Sequence, residues 1–127
     1  METAVELDLP VDHTSVREAR QFVASVDGLA PDRLLDTQLV VSELVTNALE
    51  HAGLGPADSI GLRLSRLGGR LRIDVDDAGT FTADSDTFAY PRRHGRHRRN
   101  GRGLHIVGAI AVRWQAADGR VTVWLDV

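Results

Sequence analysis

Three separated stretches hold residue types that could do chemistry. In the first, Glu43, Asn47 and His51 stand at i, i+4 and i+8, so a helix would carry a carboxylate, a carboxamide and an imidazole in one row. Such a row is either the solvated side of an amphipathic helix or the polar lining of a cleft. Leu39, Val40, Val41, Leu44, Val45, Ala48, Leu49 and Ala52 surround it so widely that little of the helix can face open water, which points to the cleft. The second stretch is Asp76-Asp77-Ala78-Gly79, where carboxylates and a glycine follow an apolar strand pattern. This is ordinary turn chemistry unless its surroundings say otherwise. In the third, Gly101-Arg102-Gly103 runs into the apolar segment 104–111, and backbone N–H groups at such a helix start can converge on an anion. It is not a dinucleotide fingerprint, because the third glycine is misplaced and no strand comes immediately before.

The elements that must position these stretches follow from periodicity. Val5, Leu7 and Leu9 alternate with Glu6 and Asp8 as a strand that Pro10 ends. Ser15 and Glu18 have the spacing of a capping box, which predicts a helix to about Asp27 with Gly28 as its C-cap. Pro31 suits the first turn of a second helix running to Gly53, the one that carries Glu43, Asn47 and His51. From Ile60 the period becomes two, Gly68-Gly69 marks a hairpin turn, and a second hairpin turns at Asp118-Gly119. The resulting order is βαα, ββ, loop, α, ββ. It predicts an α+β two-layer sandwich with a mainly antiparallel, mixed sheet covered on one face by three helices.

Residues 80–103 have no sustained periodicity, and so long a loop in a compact domain is usually functional or disordered. Arg92-Arg93-His94-Gly95-Arg96-His97-Arg98-Arg99-Asn100-Gly101-Arg102 holds six Arg, two His and no acid. A solvated tip, a lid that contacts phosphates and a nucleic-acid patch all fit that composition. No aromatic residue lies within the run, which weakens base stacking. His94 and His97 lack a further nearby ligand for zinc.

With 127 residues the chain reads as one domain able to bury its own core. It has no Cys, which excludes disulfides, thiolate-ligated zinc, iron-sulfur clusters and thiol catalysis. All 15 basic residues are Arg, so a phosphate-binding loop ending in Gly-Lys-Ser/Thr is excluded too. The net charge of −3 argues against a protein that coats nucleic acid. Neither a secretory signal nor a membrane-length apolar run is visible, so a soluble, cytoplasmic protein with no membrane partner is expected.

Taken in order, Glu43-x-x-x-Asn47 on a helix, Asp77-x-Gly79 after a strand and Gly101-x-Gly103-Leu104 opening a helix resemble the N, G1 and G2 boxes of the GHKL ATPases. Within that superfamily, the run from Ser42 to Ala52, with Arg113-Trp114 and Thr122-Val123-Trp124, is similar to the bacterial anti-sigma factor serine/threonine kinases of partner-switching systems. The resemblance implies the Bergerat fold, a single histidine kinase-like ATP-binding domain over residues 1–127 with its ATP lid at about 80–103. ATP and Mg²⁺ are the implied ligands.

By that likeness Asp77 accepts from the adenine amino group, Thr122 on the neighbouring strand supports the same edge, and Gly79 lets the backbone approach the base. Asn47 supplies its side-chain oxygen to Mg²⁺, and His51 is a hydrogen-bonding neighbour of the nucleotide. Gly101, Gly103 and Leu104 present backbone N–H groups to the phosphates, with Arg102 nearby. Glu43 lies beside the terminal phosphate and accepts the proton of an incoming hydroxyl. Phe81 stands where the family has its second G1 glycine, so the lid begins without a glycine-only conformation.

The function so implied is an ATP-dependent protein kinase that phosphorylates a Ser or Thr of an anti-sigma factor antagonist of the STAS type. Binding of a sigma factor and homodimerisation are implied as well. A non-catalytic, nucleotide-gated binding module and a slow ATPase are the alternatives. The catalytic half of a sensor histidine kinase is disfavoured, because no phosphoacceptor hairpin fits before Val5 and His13 lies in a predicted loop.

Overall fold

A computed structural model of the chain describes residues 3–51, 53–77, 107, 110–117 and 119–127. The fold is α+β. Its elements are β1 (Thr3–Pro10), α1 (Ser15–Ala24), α2 (Pro31–His51), β2 (Ser59–Leu67), β3 (Arg70–Asp76), β4 (Arg113–Ala117) and β5 (Arg120–Asp126). The strands form one five-stranded sheet in the order β1-β2-β3-β5-β4. Every neighbouring pair is antiparallel, so among the described residues the sheet is not mixed as expected. Of the predicted third helix, Val107 and Ile110 are helical, and the Ala111 N–H donates to the Val107 carbonyl at 2.8 Å. The rest of that segment and the expected lid lie outside the described residues. No described helix is long and apolar enough to cross a membrane.

The start of α1 differs from the expected capping box. Thr14 is the N-cap, and Ser15 is already helical and fully buried. The Ser15 hydroxyl meets the carbonyls of Pro10 and Asp12, tying the helix start to the end of β1. Glu18 accepts from the Thr14 hydroxyl at 2.8 Å, so the acid serves the residue before the one its spacing suggested. The helix ends at Ala24, and Gly28 stands in the following turn at φ +89°, not at a C-cap. Arg66 of β2 donates to the Gly28 carbonyl at 3.0 Å, which fixes that turn to the sheet.

Side chains of a strand alternate between faces, and the register separates the two faces cleanly. Leu9, Ile60, Leu62, Leu64, Leu71, Ile73, Val75, Val123 and Leu125 form the core with Ala19 and Val23 of α1 and with Val40, Val41, Leu44 and Val45 of α2. On the opposite face, one cross-strand row reads Glu6, Arg63, Asp74, Thr122 and Gln115. Asp74 is fully buried there, paired with Arg72 Nε at 3.0 Å and Arg63 Nε at 3.7 Å. A carboxylate so removed from water requires this compensation, which makes the row a fixed part of the sheet.

Candidate active site

The position of Glu43 and Asn47 is set by how α2 is seated. Pro31 occupies the first helical turn, where its missing N–H costs nothing, and Leu34 N–H donates to the Ala30 carbonyl at 2.8 Å. Thr37, Val40, Val41, Leu44 and Val45 face the core. Across the helix pair, Arg20 Nε of α1 donates to Ser42 Oγ at 2.8 Å and Gln38 Nε2 donates to the Arg20 carbonyl at 3.1 Å. These bonds fix the rotation of α2 immediately beside Glu43.

Glu43 and Asn47 consequently lie one turn apart on the border between the buried face and solvent, and both are half-buried. Neither side chain has a hydrogen bond or ion pair among the described residues, and no buried polar demand of the fold accounts for them. Half-buried polar groups left open in this way are available to a ligand. His51 is the last residue of α2.

The second wall comes from the end of β3. Asp77 is the first residue beyond that strand, and its N–H donates to the Gly119 carbonyl at 2.8 Å. Gly119 adopts φ +82°, and a Cβ there would run into the Asp77 carboxylate. Loss of water around the carboxyl, and then the neighbouring charge of Asp76, raise the Asp77 pKa above the usual 3.8. Asp76 itself points to the other face of the sheet, where Arg120 Nη2 approaches it to 3.2 Å. Of the two adjacent acids, Asp76 is thus held by a cation and Asp77 is not, among the described residues.

Thr122 is placed differently from expectation. Val121 pairs with Val75 and Val123 with Ile73 on the helix-covered face, so Thr122 between them must point to the opposite face. Its Oγ1 donates to Asp74 Oδ1 at 2.6 Å, and the residue is fully buried. The structure therefore does not bring Thr122 to Asp77, and its hydroxyl serves the Asp74 cluster instead. Thr122→Val should lower unfolding stability by about 1.5–3 kcal/mol, the scale of a hydrogen bond to a charged group. Its affinity for ATP should stay within a few-fold of the parent, as read by urea unfolding and calorimetry on one preparation.

Gly79, Phe81, Gly101, Arg102, Gly103 and Leu104 lie outside the described residues, as do His94 and His97. Arg120 was not singled out from the sequence, and Asp76 and Gly119 were noted only as part of a strand end and a turn. The Asp118-Gly119 turn signal was legible, but only the β3–β5 register shows that it stands opposite Asp77.

A family model described as the histidine kinase-like ATPase domain matches residues 9–126, nearly the whole chain. The chain belongs to this family. A search of curated proteins found no match. As a histidine kinase-like ATPase domain it binds ATP, and the described residues fit that ligand: a partly desolvated carboxylate at the end of β3, and an open carboxylate and carboxamide on the rim of α2.

Proposed function

We propose that this ATPase domain is a cytoplasmic serine/threonine protein kinase that phosphorylates an anti-sigma factor antagonist and so controls a sigma factor by partner switching. The observation that carries the reading is the pairing of Glu43 with Asn47. They stand one helical turn apart, half-buried and unclaimed by the described residues, in a chain of the histidine kinase-like ATPase family.

Asp77 accepts from the adenine amino group, and Asn47 offers its carboxamide oxygen towards Mg²⁺, an ion that prefers oxygen ligands. Bound there, Mg²⁺ would neutralise charge on the phosphates. Glu43 accepts the proton of a Ser or Thr hydroxyl as that oxygen bonds to the γ-phosphorus. The bond from the γ-phosphorus to the β,γ-bridging oxygen breaks, and ADP leaves with the electron pair. A carboxylate held open on the helix rim suits this role, because its lone pairs are not committed to a structural cation among the described residues. The missing lysine is no obstacle, since phosphoryl transfer rests mainly on positioning and charge neutralisation.

Incubation with Mg-ATP and a panel of STAS-type antagonist domains should yield phosphoserine or phosphothreonine on one of them, detected by mass spectrometry. Tight ATP binding with no transfer to any member of the panel would instead make the domain a nucleotide-gated binding module. Homodimerisation and a direct contact with a sigma factor belong to the same proposal and are read by light scattering and co-purification.

A further inference from the structure

We infer that Gly119, together with the Asp76–Arg120 pair behind it, is a clamp that aims the Asp77 carboxylate at the adenine, making the β5 start a determinant of base selectivity. The inference rests on the reading of Asp77 as the adenine acceptor and adds residues that reading does not contain.

Asp77 is the first residue after β3, where the ladder no longer holds its backbone on both sides. Two contacts replace the ladder. Its N–H donates to the Gly119 carbonyl at 2.8 Å, and its carboxylate rests on the Gly119 Cα, close enough that any Cβ there would displace it. Gly119 also takes a left-handed φ of +82°, which a side-chain-bearing residue adopts only with strain. The site thus needs a glycine twice, for the turn that starts β5 and for the space that Asp77 fills.

Arg120 follows directly and projects to the opposite face, where Nε and Nη2 both approach Asp76 Oδ2, at 3.3 and 3.2 Å. Both side chains are nearly buried, at 12% and 9% exposure, so solvent screens the pair little. Asp76 and Arg120 are cross-strand partners in the register, one residue inside the Asp77–Gly119 contact. Their pairing fixes the strand ends at the point where a small slip would swing Asp77 away. It also sets a cation against Asp76, whose charge otherwise bears on Asp77. Gly119 and Arg120 are therefore positioning residues. They act on the nucleotide only through Asp77.

Base selectivity is the readout that a general structural role would not move. Adenine offers an exocyclic amino group to a carboxylate, whereas guanine has a carbonyl at the equivalent ring position, so an aimed Asp77 favours ATP and a displaced one does not. Binding of Mg-ATP and Mg-GTP would be measured by calorimetry for the full chain and for Asp77→Asn, Gly119→Ala and the double variant Asp76→Asn/Arg120→Met, with thermal melting of each.

The expected result is that Gly119→Ala loses about 10-fold or more in ATP affinity, the scale of a lost charge-assisted hydrogen bond, while its GTP affinity changes little. The double variant, which removes both charges of the pair together, should lose selectivity in the same direction. If Gly119→Ala shows no cooperative melt, the double variant decides alone. Loss of selectivity in Asp77→Asn with parental selectivity in the clamp variants would overturn the inference and leave the Asp77 reading standing. Parental selectivity in Asp77→Asn itself would overturn both.

Discussion

Glu43→Ala should bind ATP within a few-fold of the parent and transfer phosphate to the proposed protein acceptor about 10²–10⁴-fold more slowly, the usual span for loss of a general base, the role proposed for Glu43. Glu43 is half-buried on the rim of α2, and no described residue uses its carboxylate, so removing it breaks no bond to any of them. Its stability cost should stay within about 0.5 kcal/mol, as for a substitution away from any packed or paired feature. Glu43→Gln refines the test by keeping shape and polarity while removing basicity. Loss in both variants with parental melting and parental ATP affinity assigns the proton-accepting role. Transfer by Glu43→Gln at the parental rate would remove that role from Glu43, whatever the alanine variant does.

Asp77→Asn should separate binding from stability in opposite directions. Affinity for ATP should fall about 10-fold or more, because a neutral amide replaces the anionic acceptor proposed for the adenine amino group. Stability without nucleotide should change the other way. Burial and the charge of Asp76 raise the Asp77 pKa in the folded chain above its unfolded value near 3.8, so the folded state holds that proton more tightly. The associated stability is present below the unfolded pKa and is lost as pH rises through the folded one. Above that window an ionised Asp77 is a cost that the asparagine lacks. Parent and variant should therefore melt at similar temperatures near pH 3, and the variant should melt higher at pH 7. A variant less stable than the parent at pH 7 would contradict this environment, and unchanged ATP affinity would contradict the assignment to adenine.

These two residues also show how much of the candidate site could be read along the chain. Glu43 and Asn47 were legible because helical spacing needs nothing but the sequence: residues four apart share a face wherever the helix is placed. Asp77 was legible as the carboxylate ending an apolar period-two run. Thr122 was not, although its own alternation with Val121 and Val123 held the information. The ladder had to show that Val121 and Val123 are the residues paired with Val75 and Ile73 on the helix side before Thr122 could be assigned to the other face. Gly119 and Arg120 escaped for a related reason, since a turn glycine followed by an arginine has no distinguishing local pattern.

The α+β class, the two hairpins, the helix that carries Glu43 and Asn47, and the exclusion of thiol and lysine chemistry were readable along the chain alone. All of these depend on local periodicity, turn chemistry or composition. The tertiary structure decided which acid of the Asp76-Asp77 pair is free of a cation among the described residues, which face Thr122 serves, and that Gly119 lies under Asp77. It also showed that the cap of α1 is Thr14 and that the described sheet is antiparallel throughout. Apart from that cap, which forms among near neighbours, each of these depends on the pairing of strands far apart in the chain, or on one element closing against another. Such contacts are set by the packing of the whole core, and no window of neighbouring residues contains them.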